Sequence, residues 1–175
     1  MAINSATAYL DNAATTAMVP EAVLAMSQQL GIVGNASSLH AAGRSARKVV
    51  EESREAIADA VGASPSEVIF TASGTEANNL ALKGFYWHRF AEGRNSIVTS
   101  PIEHHAILDP LEWLVEHENA KWLELDVDQD GQVKVEDAIK KIAAEANLIS
   151  LISIMHSNNE VGSIQPVGEI AAIAA

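Results

Sequence analysis

Short apolar segments typical of β-strands alternate with longer amphipathic segments typical of α-helices along most of this chain. Strands are predicted over residues 68–71, 97–100, 121–127 and 148–154, and helices over residues 75–90, 104–118 and 135–146. A last helix is expected to begin at Pro166 and to continue through Ala175. Such alternation is typical of a parallel sheet with helices on both faces, which predicts a three-layer α/β/α fold.

Two helices are predicted before the first of these strands. Pro20 occupies a favoured first-turn position for a helix over residues 20–30. Ser37 or Ser38 is expected to cap a second helix that ends at Gly62, and its apolar residues recur at the spacing of one helix face. That face carries Val49, Val50, Ile57 and Val61.

Composition and charge exclude several classes of function. The formal net charge is −12, which disfavours nucleic acid or an anionic membrane as the main partner. The absence of cysteine excludes disulfides and thiol chemistry within this chain. No apolar run reaches membrane-spanning length, and residues 1–7 do not resemble a signal peptide. A cytoplasmic location is expected.

Residues 71–76, with the sequence Thr-Ala-Ser-Gly-Thr-Glu, lie where the predicted 68–71 strand gives way to a helix. Free backbone N–H groups and the helix dipole make such a position suitable for an anion such as phosphate. Gly74 would allow close approach of the ligand, and the Thr75 hydroxyl could add a hydrogen bond. A plain capping turn is the alternative, with Ser73 or Thr75 as N-cap. The segment alone favours the cap.

Histidine and asparagine side chains follow two other predicted strands. His104 and His105 come after Pro101, and Asn158 and Asn159 come after the apolar 148–154 segment. The carboxyl ends of parallel strands lie at one edge of the sheet, where ligands bind in open α/β folds. A neutral imidazole there could stack on a planar ring and move protons, and an asparagine could donate to a ring oxygen or a carboxylate. The alternatives are helix-capping histidines and a turn with asparagine in a left-handed conformation.

An acidic segment from Asp126 to Gly131 matches the first half of a calcium-binding loop. The twelfth position is Asp137 rather than the usual glutamate, and the preceding residues predict a strand instead of a helix. An acidic turn is therefore favoured over a calcium site. The histidines also lack the paired spacing of zinc ligands, so no metal site is expected.

Five motifs in order resemble those of cysteine desulfurases of the NifS/IscS-like branch, which are class V, fold-type-I enzymes dependent on pyridoxal 5′-phosphate (PLP). The motifs are residues 9–16, 34–40, 70–76, 103–104 and 155–162. The resemblance implies the large PLP-binding domain of that fold, incomplete in this chain. It also implies a division into an amino-terminal arm, residues 1–15, and the amino-terminal part of the large domain, residues 16–175.

The resemblance implies roles for individual residues. Gly74 and Thr75 match positions that hold the PLP phosphate, and His104 matches the histidine that stacks on the pyridine ring and takes part in proton transfer. Asn159 matches a cofactor-binding asparagine, and Asn35 lies in a loop near the substrate. The family reaction removes sulfur from L-cysteine, leaving alanine and an enzyme persulfide for iron–sulfur cluster assembly and thiolation. Its members are homodimers that pass sulfur to an acceptor or scaffold protein.

Several catalytic groups of the family have no counterpart here. The lysine that binds PLP covalently lies in a Ser-x-His-Lys segment, which surrounds none of the lysines of this chain: Lys48, Lys83, Lys121, Lys134, Lys140 and Lys141. The persulfide cysteine is also absent, so this isolated chain is predicted to be inactive. A selenocysteine lyase, an aminotransferase-like enzyme of the same class, and a non-catalytic dimerising or binding domain stay open as alternatives.

Overall fold

The computed structural model describes residues 8–174 and divides the chain into two units, Met1–Phe70 and Thr71–Ala175. Residues 1–7 and Ala175 lie outside the described residues. The structure therefore does not address the predictions that residues 1–7 are no signal peptide and that the last helix includes Ala175. Only residues 8–15 of the predicted amino-terminal arm are described.

The first unit contains two helices, α1 (Pro20–Leu30) and α2 (Ala41–Val61). Helix α1 begins at Pro20 as predicted, and Gly62 ends α2 with a φ of 70°. The predicted cap of α2 is wrong. His40, rather than Ser37 or Ser38, accepts the Gly43 N–H through Nδ1 at 3.3 Å. The two serines are bonded within an earlier turn, where both of their N–H groups donate to Asn35.

Helix α2 is packed less than its sequence pattern suggests. Val49 and Ile57, on the predicted apolar face, are 39% and 43% exposed. The buried residues of this helix are the small ones, Gly43 and Ala58. A Cβ at Gly43 would lie 2.3 Å from the Ser38 carbonyl oxygen, so only glycine permits this contact between the turn and the helix.

Residues 68–71 are predicted as a strand, and this prediction is wrong. A short 3₁₀ turn, Pro65–Glu67, precedes them, and residues 68–71 pair with no strand among residues 8–174. Instead, the Arg54 guanidinium donates to the Val68 carbonyl oxygen and lies 4.9 Å from the centre of the Phe70 ring. Ile69 is 67% exposed. An apolar run becomes a strand only when a neighbour supplies the hydrogen bonds, and here a side chain supplies one of them.

The second unit is built on a three-stranded parallel sheet. Strand β1 (Ser96–Thr99) lies between β2 (Lys121–Glu124) and β3 (Ile149–Ser153). Strand β2 ends three residues earlier than the predicted 121–127, and Val127 forms an isolated antiparallel bridge with Val133. The helices of this unit are α3 (Gly74–Phe90), α4 (His105–His117), α5 (Val135–Glu145) and α6 (Val167–Ala174).

Two apolar cores cover the two faces of this sheet. Ile97 of β1 faces a core formed with α3 and α4, which contains Leu82, Tyr86, Ile107, Leu111 and Leu114. Val98, the next residue, faces a core formed with α5 and α6, which contains Leu125, Val133, Ala138, Ile142, Ile149 and Ile170. Successive strand residues point to opposite faces, so this alternation confirms the three-layer α/β/α arrangement. Within residues 8–174, no helix has the length and apolarity needed to cross a membrane.

Candidate active site

The start of α3 combines a helix cap with free backbone donors. Ser73 Oγ accepts the Glu76 N–H at 3.2 Å, and the Glu76 carboxylate accepts the Ala72 N–H at 2.8 Å. This reciprocal arrangement is the capping turn considered as the alternative to an anion site. It uses the N–H of Glu76 and leaves those of Gly74 and Thr75 without an acceptor among residues 8–174.

Gly74 has open space where a side chain would begin. A Cβ built on Gly74 would meet no atom within 4 Å, and its φ lies outside the left-handed region. The fold itself therefore does not require glycine here. The N–H groups left without an acceptor and the helix dipole at this first turn favour a bound anion such as phosphate.

His104 caps α4 with its own ring. Its Nδ1 accepts the Ala106 N–H at 2.9 Å, and the side chain is otherwise exposed. The bond requires an unprotonated Nδ1, so the neutral ring carries its proton on Nε2. The capping role considered for the histidines is thus present, and it orients the imidazole.

His105 does not cap the helix and instead pairs with Asp109. Its Nδ1 lies 2.9 Å from Asp109 Oδ1, one helical turn further on, and the side chain is 84% exposed. The hydrogen bond to Asp109 and the negative charge of that carboxylate raise the pKa of His105. Of the two adjacent histidines, His105 is paired on the surface of α4.

The two asparagines after β3 differ in their surroundings. Asn158 is buried, and it donates through Nδ2 to the Ile102 carbonyl oxygen at 3.0 Å. Its Oδ1 accepts from the N–H groups of Glu160 and Val161, so it organises the loop. Asn159 is exposed, and within the described part of the chain its amide bonds only the neighbouring Glu160 carboxylate, at 2.8 Å. Gly162, with a φ of 75°, takes the left-handed position considered for an asparagine.

Two cavities share His104 and His105 as lining residues. One, of about 510 Å³, is lined by His104, Asn158 and Asn159, and the other, of about 430 Å³, by His104 and Thr75. Three of the predicted residues, Thr75, His104 and Asn159, therefore line adjoining spaces, and Gly74 precedes Thr75 at the helix start. Asn35 belongs to the first unit, where its Oδ1 accepts the Ser37 N–H at 2.9 Å.

Glu103 is a buried residue of this region to which the sequence assigned no role. It is 7% exposed, and its Oε1 accepts from Ser100 Oγ at 3.1 Å and from the Met155 N–H at 2.8 Å. Burial raises the pKa of Glu103, while the bonds from Met155 and Ser100 oppose that rise. Nothing local in the sequence identifies Met155 as its partner, since the two residues belong to different loops.

The acidic segment after β2 folds as a turn. Asp128 Oδ1 accepts the N–H groups of Asp130 and Gln132, each at 2.9 Å, and Lys141 bonds the carboxylates of Asp126 and Asp137. Among residues 8–174, no group of three histidine, aspartate or glutamate side chains is placed to hold a metal ion.

A further cavity, of about 560 Å³, lies beside β3 and shares no lining residue with the two at His104. Its walls include Phe85, Ile142, Ile149 and Ile173, with Arg89 and Arg94 at its polar part. None of the predicted site residues lines it, so its size alone does not make it the candidate site.

Comparison with known proteins gives consistent matches. Residues 8–175 match the family model described as "Aminotransferase class-V". The chain is 53% identical over 169 residues to an IscS-like cysteine desulfurase of Mycobacterium tuberculosis (strain ATCC 25618 / H37Rv), covering 95% of this chain and 43% of the relative. The chain therefore spans less than half the length of this curated relative, and it corresponds to the amino-terminal portion.

Solved structures agree with the sequence matches. A NifS-like protein superposes with a TM-score of 0.83 at 36% identity, covering 94% of this chain and 44% of that one. A structure titled "SspA in complex with cysteine" gives a TM-score of 0.83 at 32% identity, covering 96% of this chain and 47% of that one. The fold is thus that of the large domain of fold-type-I PLP enzymes, of which this chain forms a part.

Proposed function

This chain belongs to the class-V aminotransferase family, and we propose that it forms the PLP-binding, amino-terminal part of a cysteine desulfurase. The observation that carries the proposal is the pair of cavities that share His104 as a lining residue, with Thr75 in one and Asn159 in the other. A planar, phosphorylated cofactor needs a ring contact, a phosphate cradle and a polar group at the ring edge. Those residues offer all three.

The phosphate group would be held at the start of α3. The N–H groups of Gly74 and Thr75 have no acceptor among residues 8–174, and the Thr75 hydroxyl is the adjacent side-chain donor. Lys83 lines the same cavity and supplies a positive charge in a chain whose net charge is −12. Charge-assisted bonds of this kind are the strong ones in anion binding.

The ring would lie between His104 and Asn159. The capping bond holds the His104 imidazole in one orientation with its proton on Nε2, so that nitrogen can donate a hydrogen bond to a bound ligand. For a proton-transfer role, Nδ1 must first release the Ala106 N–H and take up a proton. The Asn159 amide can release its bond to Glu160 and donate to an oxygen on the ring. When bound, PLP supplies an electron-withdrawing ring that stabilises negative charge on a substrate carbon.

The remaining assignments rest on the family. We propose L-cysteine as the substrate of the whole protein, with Asn35 near its binding site. The names of the relatives favour this over a selenocysteine lyase or another aminotransferase-like enzyme, and one structural neighbour is titled as a complex with cysteine. A sulfur-acceptor or iron–sulfur scaffold protein is the proposed partner, and a homodimer in the cytoplasm the proposed state. Residues 16–175 are proposed as the part of the large domain in this chain, after a short arm.

A chimeric protein tests this function. Residues 1–175 would be joined to the carboxy-terminal remainder of the Mycobacterium tuberculosis relative, and sulfide release from L-cysteine would be measured with PLP present. We expect the chimera to release sulfide, and the 175-residue chain alone to release none, because it contains no cysteine. His104→Ala in the chimera is expected to lower kcat by about 100-fold or more, the size of a general acid–base contribution.

Two results would contradict the proposal. One is a folded chimera that binds PLP but leaves L-cysteine intact. The other is a His104→Ala chimera as active as its parent. His117→Ala is the matched control, since this imidazole lies at the other end of α4 and lines neither of the two cavities, and it is expected to change kcat less than about threefold.

A further inference from the structure

A buried carboxylate connects the loop that carries His104 to the loop that carries Asn159. Glu103 Oε1 accepts from the Met155 N–H at 2.8 Å, across 52 residues of sequence, and from Ser100 Oγ at 3.1 Å within its own loop. The side chain is 7% exposed. Bonds to a group this well buried are costly to break, because the donor left behind loses its partner without gaining water.

A second bond links the same two loops in the opposite direction. Asn158 Nδ2 donates to the Ile102 carbonyl oxygen at 3.0 Å, while Asn158 Oδ1 holds the turn that follows. Each loop therefore contributes one buried side chain that bonds the backbone of the other. His104 directly follows Glu103, and Asn159 directly follows Asn158, so the two side chains that make these bonds belong to the immediate neighbours of two proposed cofactor contacts.

We propose that Glu103, whose buried side chain lies in the wall of the cavity shared with His104 and Asn159, is a positioning residue, which holds His104 at a fixed place relative to Asn159 and thereby sets the affinity for PLP. The effect on PLP rests on the function proposed above, while the effect on the loops does not. His104 has its own restraint in the bond to Ala106, which orients the ring within α4. The bond to Ala106 does not fix the start of α4 relative to the loop after β3, whereas the bond from Met155 to Glu103 does.

The role requires an acceptor rather than a negative charge. Both bonds to Glu103 end on one carboxylate oxygen, and each needs only a lone pair. A glutamine carbonyl oxygen can accept the same two bonds at the same place. Glu103→Gln is therefore expected to preserve the linkage, whereas Glu103→Ala removes it.

The test compares Glu103→Ala, Glu103→Gln and the control Ser150→Ala in the 175-residue chain. Ser150 Oγ donates to the Ser96 carbonyl oxygen at 2.9 Å, so the control loses a buried hydrogen bond at the amino ends of β1 and β3, opposite the site. Hydrogen exchange of the Met155 amide and the NMR shifts of His104 and Asn159 are measured without PLP. The dissociation constant of PLP is then measured by titration.

We expect Glu103→Ala to speed exchange at Met155 by about tenfold or more, to shift both His104 and Asn159, and to raise the dissociation constant of PLP about tenfold. Glu103→Gln should keep the Met155 exchange rate and the dissociation constant of PLP within about threefold of the parent values. It should leave the NMR shifts of His104 and Asn159 unchanged. Ser150→Ala should lower the unfolding midpoint and leave the PLP affinity unchanged. If Glu103→Ala does not fold, Ser100→Ala replaces it, with smaller changes in the same direction.

Three results would overturn the proposal: unchanged His104 and Asn159 shifts in Glu103→Ala, a Glu103→Gln variant as impaired as Glu103→Ala, or an equal loss of PLP affinity in Ser150→Ala. Failure of the proposed function appears differently. If the parent chain does not bind PLP, the cofactor assignment fails. The exchange and shift measurements still decide whether Glu103 positions the two loops.

Discussion

Replacing Gly74 with alanine and Thr75 with valine in the same chain is expected to weaken PLP binding by about 100-fold. The added methyl at position 74 would occupy open space at the start of α3, where it is expected to obstruct a phosphate bound to the first-turn N–H groups. The valine removes the hydroxyl at position 75 while keeping the branched shape of the side chain. Each change is expected to contribute about tenfold, measured by titration calorimetry, because each removes part of the contact with a doubly charged phosphate.

Gly84→Ala is the matched control for this prediction. Gly84 lies in the same helix, and a Cβ there also meets no atom within 4 Å. The substitution should leave the PLP affinity unchanged and raise the free energy of unfolding by about 0.5–1 kcal/mol, since alanine is the better helix former. If Thr75→Val and Gly74→Ala leave the PLP affinity as unchanged as Gly84→Ala does, the phosphate is not held at the start of α3.

Leu114→Ala is expected to lower the free energy of unfolding of the second unit by about 2–5 kcal/mol. Leu114 is fully buried in the core that α4 forms with α3 and Ile97 of β1. Removing three side-chain carbons leaves a cavity in addition to the lost transfer free energy. His104 caps this helix, so the same variant should also weaken PLP binding at temperatures where the second unit begins to unfold.

Val115→Ala provides the comparison. It is the adjacent residue of α4 and is 40% exposed, so its truncation should change the free energy of unfolding by less than about 1 kcal/mol. Urea denaturation followed by circular dichroism measures both variants. Equal destabilisation by the two substitutions would mean that α4 is not packed on the sheet through the face that carries Leu114.

The fold class was predictable because the sheet is parallel and its helices are amphipathic. Helix α1 begins at Pro20 and α2 ends at Gly62, and both boundaries depend on local backbone chemistry. The 68–71 segment has the same β-type composition as a true strand. Its conformation depends on whether a distant strand pairs with it, and no neighbouring residue in the sequence carries that information.

The residues of the candidate site were predictable from the sequence, but most of the contacts that hold them in place were not. The motifs identified Thr75, His104 and Asn159, and the structure brings these three around two adjoining cavities. Helix capping was the alternative role that the sequence offered for the histidines, and His104 does cap α4. The sequence did not reveal that Asn158 organises the loop beside Asn159. Nor did it indicate the link between Glu103 and Met155, because a long-range hydrogen bond depends on two loops that only the folded sheet brings together.

Amide NMR of the 175-residue chain titrated with PLP tests the central claim most directly. The cofactor site described here predicts reversible shifts at Gly74, Thr75, His104 and Asn159 that share one dissociation constant, with inorganic phosphate shifting only the first two. It also predicts that borohydride treatment fixes PLP to no single lysine. Shifts confined to the cavity beside β3, or PLP fixed stoichiometrically at one lysine of this chain, would contradict it.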